Sequence, residues 1–172
     1  MGKPTVVAGA LALAFAAAAE KGASPAPAQN EGGARKHLAD FFLRTKGTTR
    51  VVTASELLED IRGGKTKYRI VDVRPVDDYE KGHLPGAINV PLDVLFRPES
   101  LELLQGDRKP LLLVCQSGHM ESMALGGLAA LGYEPYVLRF GMIGWNSETK
   151  VKAAGVPHQQ DVVHGVGGPL EK

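Results

Sequence analysis

The chain has 172 residues, of which 44% are hydrophobic and 23% charged, the composition of a globular protein large enough for one core. Its formal net charge of +1 at pH 7 gives no basis for a nucleic-acid partner or an anionic membrane surface. One cysteine excludes an internal disulfide, and the five histidines show no zinc-site spacing with it, so we expect no metal and no cofactor.

The first 19 residues have the pattern of a secretory signal peptide. Lys3 precedes an apolar run that ends in alanines, and Ala17-Ala18-Ala19 offers a small-residue cleavage site. The run is too short and too rich in alanine to favour a membrane span. We therefore expect residues 1–19 to be cleaved and the mature protein to be exported to the periplasm, without stable membrane insertion. An uncleaved anchor and an ordinary alanine-rich helix are the alternatives.

Three further regions follow the signal peptide. Residues 20–36 are rich in Ala, Pro and Gly, which predicts a disordered linker. Residues 37–156 form the expected domain, with its core at about 50–155. The glycine-rich residues 157–172 predict a flexible C-terminal tail.

Within the domain, short apolar segments alternate with segments of helical pattern. The expected strands are 50–52 at an edge, 68–73, 87–90, 111–114 and 136–138. The expected helices are 37–43, one opened by a capping box at 53–56, 77–81, 92–104 with a break at Pro98, 120–131, and a turn or helix at 141–145. Strands that alternate with helices predict an α/β fold with an open parallel sheet.

The lone cysteine, Cys115, stands between a buried apolar strand and a helix. In a parallel sheet this is the carboxyl end of a strand, where open α/β sheets bind their ligands. The thiol would also face the first turn of the helix, whose free N–H groups and dipole favour a thiolate. Most lone cysteines are simply small core residues. Gly118 favours a reactive thiol, because glycine lets backbone amides turn toward a bound anion.

Three motifs carry a family resemblance over about residues 50–155: IVDVRPVDDYEKGHLPGAINVP, LLLVCQSGH and LGYEPYVLRFGMIGW. Together they resemble the rhodanese (sulfurtransferase) family. The resemblance implies an open parallel sheet of about five strands with helices on both faces. It assigns Cys115 as the sulfur-accepting nucleophile. It also implies a substrate-binding loop made of Gln116, Ser117, Gly118, His119 and Met120.

Three supporting residues follow from the same resemblance. Asp72 and Arg74 match the family's Asp-x-Arg pair, which we expect to hold loops near the site, although Arg74 could also attract an anionic substrate. His83 lies in a Gly-His-x-Pro-Gly turn with an architectural role, and a direct catalytic role is the alternative. His119 could tune the thiolate or bind substrate, and an exposed loop histidine is equally consistent with the sequence.

The chain departs from the family pattern at Met120. Many rhodanese loops have arginine at this sixth loop position, where it can bind the sulfonate of thiosulfate. Methionine followed by Glu121 is a poor anchor for a doubly charged anion. The donor could therefore be thiosulfate or a polysulfide.

The resemblance implies a single-domain sulfurtransferase that carries sulfane sulfur as a persulfide on Cys115. Its partners would be a small sulfur-containing donor and a thiol or cyanide acceptor, with a redox protein as a further candidate. The alternative is a non-catalytic sulfur carrier or binding module that serves a partner protein. Phosphatase and arsenate reductase chemistry is disfavoured, because it requires a loop arginine that is absent here.

Overall fold

The fold is described from a computed structural model of the chain. The structure describes residues 33–46, 49–64, 66–106, 109–146, 148 and 165–172. The predicted signal peptide and most of the predicted linker lie outside these residues. No helix within the described ranges is long and apolar enough to cross a membrane.

Five parallel strands form one sheet in the order β1-β5-β4-β2-β3, which confirms the predicted fold class. The strands are β1 (Val51–Val52), β2 (Arg69–Asp72), β3 (Ile88–Asn89), β4 (Leu111–Val114) and β5 (Pro135–Leu138). The helices are α1 (Gly33–Arg44), α2 (Ala54–Arg62), α3 (Val76–Tyr79), α4 (Pro98–Leu104), α5 (His119–Ala130) and α6 (Gly141–Trp145). The central strand, β4, is therefore the one that leads to Cys115.

Helices cover both faces of the sheet, because successive side chains of each strand point to opposite sides. Leu112 and Val114 pack in one apolar cluster, with residues of α2 and α6. Leu111 and Leu113 pack in a second cluster on the other face, with residues of α4 and α5. Strand β4 is thus buried on both faces, as its uninterrupted apolar sequence predicts.

Local sequence explains where two of the helices begin. Thr53 and Glu56 form the predicted capping box, with Glu56 N–H bonded to Thr53 Oγ1 at 3.3 Å and Thr53 N–H bonded to Glu56 Oε2 at 2.9 Å. Pro98 was expected to break a helix over 92–104. It instead starts α4, because proline is tolerated in the first turn, and residues 92–96 form turns.

Helix α1 begins inside the segment predicted as linker, so the 20–36 boundary is wrong for residues 33–36. The helix packs against the end of α5: His37 Nδ1 lies 3.2 Å from the carbonyl oxygen of Ala130, and Arg44 forms a 2.6 Å ion pair with Glu134. Phe41 is buried in the same contact region. Burial of this aromatic ring, rather than local composition, stabilises the helix.

Residues 165–172 do not form the predicted flexible tail, because they pack against the domain; residues 157–164 lie outside the described part. Trp145 Nε1 donates to the carbonyl of Pro169 at 2.9 Å, and Asn146 Nδ2 donates to that of Gly168 at 2.8 Å. His83 and Glu171 exchange two backbone hydrogen bonds of 3.0 Å. A fully buried indole N–H needs an acceptor, and this segment provides it.

We predict that Gly168→Ala destabilises the protein. A Cβ at this position would lie 2.2 Å from Cε2 of Trp145, so either the indole or the C-terminal segment must move. Overpacking of this kind costs about 1–3 kcal/mol of unfolding free energy, measurable by urea denaturation. Gly126→Ala in α5 is the matched control, because no atom lies within 4 Å of its Cβ position, and we expect a gain of about 0.5–1 kcal/mol. Equal stability of Gly168→Ala and wild type would contradict the packing described here.

Candidate active site

Helix α6 holds the backbone at Cys115 in place by hydrogen bonds. Met142 N–H donates to the carbonyl of Cys115 at 2.8 Å, and Ile143 N–H donates to that of Gln116 at 3.0 Å. Gly141 makes this approach possible: its φ is +52°, and a Cβ there would lie 2.3 Å from the Cys115 oxygen. Gly141 of the third sequence motif therefore lets α6 approach the active loop closely enough to hold it by these hydrogen bonds.

Backbone N–H groups surround the sulfur of Cys115. Gly118 N–H donates to Sγ at 3.2 Å, and the N–H groups of Ser117 and Glu121 also face the sulfur. All three hydrogen bonds favour the thiolate and lower the pKa of the thiol. Gly118 has a φ of 98° and precedes the first residue of α5, so the loop turns sharply into the helix. Ser117 and Gly118 belong to the loop 116–120 that the family resemblance implies, whereas Glu121 lies outside it.

The net pKa of Cys115 nevertheless lies above its ordinary value. Cys115 is only 1% exposed, and burial disfavours the charged thiolate. The Glu121 carboxylate raises the pKa further by like-charge repulsion. The sequence predicted that the helix N-terminus would favour the thiolate. The three N–H groups act in that direction, but desolvation and Glu121 outweigh them.

Glu121, which the sequence analysis treated only as a poor anchor for an anionic donor, is a buried residue of the site. It is 0% exposed, its Oε2 accepts the backbone N–H of Cys115, and its Oε1 has no hydrogen-bond partner. Burial raises the pKa of this carboxyl to about 8, with a further contribution from Asp72. Helical spacing could have revealed its burial, since Glu121 shares a face with the core residues Ala124 and Leu128.

Asp72 and Arg74 form a buried ion pair beside the active loop. Arg74 Nε lies 3.0 Å from both Asp72 carboxylate oxygens, and Nη2 lies 2.7 Å from Oδ2. Nη2 also donates to the carbonyl of Gly82 at 2.9 Å, and Nη1 donates to Gln116 Oε1 at 3.4 Å. The guanidinium is 1% exposed and engaged by these three residues, so the geometry favours loop support over attraction of an anion.

Asn89 is a supporting residue that the sequence reasoning missed. Its Nδ2 donates to the carbonyl of Asp72 at 3.0 Å and to that of Arg74 at 2.9 Å. It thereby ties the end of β3 to the backbone on both sides of Val73. The only sequence signal is a polar residue inside an apolar strand.

The two candidate histidines occupy different surroundings. His83 stacks on Tyr79 at 3.6 Å between ring centroids, its Nδ1 lies 3.0 Å from the Tyr79 carbonyl oxygen, and its backbone pairs with Glu171. These contacts favour the architectural role. His119 is exposed at the start of α5. In the part of the chain that the structure describes, no group of three or more His, Cys, Asp or Glu residues could hold a metal ion.

Met120 borders a cavity of about 480 Å³ next to the active loop. The lining residues are Val73, Pro75, Val76, Pro91, Leu92, Asp93 and Met120. Val73 and Met120 pack in the same apolar cluster as Cys115, although Cys115 itself is not among the residues that line the cavity. Asp93 contributes the only charge among these lining residues, and it is negative.

The family model of the rhodanese-like domain matches residues 53–148 of the chain. The HTH-type transcriptional regulator Rv0324 of Mycobacterium tuberculosis is 31% identical over 140 residues, which are 78% of this chain and 57% of that protein. YrkF of Bacillus subtilis, named provisionally as a sulfur carrier protein, is 29% identical over 117 residues, or 63% of this chain and 62% of YrkF. The chain thus spans less than two thirds of the length of either relative.

Two shorter proteins complete the comparison. YtwF of Bacillus subtilis, named provisionally as a sulfurtransferase, is 28% identical over 101 residues, which are 59% of this chain and 94% of YtwF. The crystal structure of a rhodanese-like domain protein from Staphylococcus aureus is 26% identical, covers 54% of this chain and 86% of its own, and has a TM-score of 0.48.

We predict that Arg74→Ala removes most of the stability of the domain. It leaves the Asp72 carboxylate buried without its partner, which typically costs about 3–5 kcal/mol. Lys81→Ala is the matched control, because it breaks the exposed Lys81–Asp78 pair, and such pairs contribute at most about 1 kcal/mol. Urea denaturation of both variants measures the difference. If Arg74→Ala loses no more than Lys81→Ala, the buried pair does not hold this region together.

Proposed function

The chain belongs to the family of rhodanese-like domains, and on that premise we propose that it is a sulfurtransferase that carries sulfane sulfur as a persulfide on Cys115. The observation that carries the proposal is the position of Cys115: it follows the central strand and its sulfur faces the N–H groups of Ser117, Gly118 and Glu121. Such donors stabilise an anionic sulfur, whether thiolate or persulfide.

Two displacement steps account for the transfer. In the first, the Cys115 thiolate attacks the sulfane sulfur of the donor, a sulfur–sulfur bond forms, and the bond to the rest of the donor breaks. The electron pair of that bond leaves with the donor group. In the second, an acceptor thiolate or cyanide attacks the outer sulfur of the persulfide and releases the Cys115 thiolate. No metal or cofactor takes part in either step.

The charges around the cavity disfavour thiosulfate and favour a donor with little charge, such as an organic polysulfide. Thiosulfate carries two negative charges and needs a cation at the site. Met120 offers none, Asp93 is negative, and Arg74 is already engaged by Asp72, Gly82 and Gln116. A small donor with an apolar body fits the predominantly apolar lining better.

A sulfur carrier that serves a partner protein is the second candidate. The carrier name of YrkF is in line with this alternative. Turnover separates the two functions: an enzyme cycles many times with small substrates, whereas a carrier accepts one sulfur atom and does not react further without its partner.

Export remains a proposal based on the sequence of residues 1–19.

We predict that Cys115→Ser abolishes sulfur transfer and leaves the fold intact. Hydroxyl and thiol are close in size, but the hydroxyl is not nucleophilic at neutral pH, and losing a nucleophile costs orders of magnitude in rate. Intact mass spectrometry after incubation with polysulfide should show one added sulfur atom on wild type and none on the variant. A variant that keeps more than about a tenth of wild-type turnover would rule out this mechanism.

We predict that Met120→Arg improves the use of thiosulfate. The guanidinium can form charge-assisted hydrogen bonds to the sulfonate, which are worth roughly 1–3 kcal/mol in a partly shielded pocket. This corresponds to a fall in the thiosulfate KM of about five- to a hundredfold, with a smaller change for polysulfide. Met120→Leu is the matched control, because it keeps an apolar side chain of similar size and should leave both KM values unchanged. If Met120→Arg uses thiosulfate no better than Met120→Leu, loop charge does not set donor choice.

A further inference from the structure

Glu121 is a buried carboxylate to which the two displacement steps assign no role. One of its oxygens accepts the N–H of Cys115, and its side chain also lies within hydrogen-bonding reach of the Cys115 sulfur. The other oxygen, Oε1, has no partner and lies 3.9 Å from the point where a Cβ on Gly118 would stand. A fully buried carboxyl group with an unpartnered oxygen destabilises the fold, and a function in the reaction would account for its presence.

We propose that Glu121 is the proton acceptor of Cys115: once the pair has lost its first proton, the two side chains share the remaining one, which passes from Sγ to the carboxylate when the nucleophilic thiolate forms. This inference deepens the proposed function, on which its place in the reaction rests. Glu121 would then be a catalytic residue, because it contacts the reacting sulfur.

The geometry favours one negative charge in the pair rather than two. Both groups are almost fully buried, and a thiolate beside a carboxylate would place two like charges in a region of low dielectric. When the proton moves to Glu121, the negative charge moves to the sulfur, where hydrogen bonds from the N–H groups of Ser117 and Gly118 stabilise it. The unpartnered Oε1 can take the proton while Oε2 keeps its bond to the Cys115 N–H.

The other charged groups around the pair do not replace Glu121 in this role. Asp72, at the end of β2, acts on Glu121 by repulsion but is itself paired with Arg74. His119 is exposed at the start of α5, and Asp93 lines the cavity. Glu121 is the charged side chain whose field raises the pKa of Cys115.

The proton balance of the cycle is simple. Sγ gives its proton to Glu121 and its electron pair to the sulfane sulfur, while the donor's leaving group departs with the electrons of the broken bond. After the acceptor removes the outer sulfur, Cys115 leaves as a thiolate and Glu121 returns the proton to Sγ. The leaving group gains a proton from water and the acceptor thiol loses one to water, so no external oxidant or reductant is needed.

The pH dependence of cysteine alkylation tests the shared proton directly. Iodoacetamide reacts with the thiolate, so its rate follows ionisation of Cys115 in the full chain. In wild type we expect the rate to rise in two steps at least about one pH unit apart, because coupled groups lose their protons in two macroscopic stages. Glu121→Gln keeps an oxygen for the Cys115 N–H but cannot take a proton, and should show a single step.

Two further variants make the result specific. Glu121→Asp keeps a titrating carboxyl and should retain two steps at shifted pH values. Glu59→Gln, on the exposed surface of α2, should leave the wild-type profile unchanged. The carbon-13 shift of the Glu121 carboxyl in wild type should follow both steps, which tests the inference even if Glu121→Gln does not fold.

A single step in wild type, or the same profile in wild type and Glu121→Gln, would overturn the shared proton. This result is independent of the proposed function, because alkylation requires no sulfur donor. If wild type shows two steps but gains no sulfur from polysulfide, the proton pair stands and the sulfurtransferase proposal fails. If sulfur is transferred but alkylation shows one step, the proposed function stands and the role of Glu121 fails.

Discussion

The buried guanidinium of Arg74 is the constraint on which the active-site edge of the sheet depends. A charge that is 1% exposed needs partners in fixed positions, and Arg74 takes them from three segments: Asp72 at the end of β2, the carbonyl of Gly82, and Gln116 in the active loop. Asn89 links β3 to the same region, because its side chain donates to the backbone carbonyls of Asp72 and Arg74. The loops at this edge therefore cannot shift independently, and the position of the active loop follows from charge compensation as well as from packing.

Glu121 is the second buried carboxyl group at this edge. Asp72 has Arg74, whereas no positive charge is paired with Glu121 among the described residues, and one of its oxygens has no partner. Its field therefore acts on the nearest group that can respond, the Cys115 thiol. Stability and reactivity are thus divided between two buried carboxylates that lie close together: the compensated one holds the loops, and the other controls the proton on the sulfur.

The sequence predicts the features that depend on local patterns. The apolar run 111–114, the capping box at Thr53 and the alternation of strands and helices lead to the sheet, to α2 and to Cys115 at a strand end. What it misses depends on partners distant in the chain. The C-terminal segment is ordered because the buried Trp145 N–H needs an acceptor, and α1 extends to Gly33 because it packs on α5. The raised pKa of Cys115 depends on burial and on Glu121, which the predicted N–H groups alone do not reveal.

The raised thiol pKa and the choice of donor have the same electrostatic origin. A carboxylate that disfavours a thiolate beside it also disfavours any other anion that approaches the sulfur. An anionic donor would add negative charge to a site in which the reactive Cys115–Glu121 pair already carries one and which is bordered by Asp93, with methionine at the loop position where a cation could offset it. A donor with little charge meets no such repulsion and gains contact with the apolar cavity wall. Replacement of Met120 by arginine would add a positive charge next to Glu121 and near Cys115, so it should favour the thiolate as well as an anionic donor.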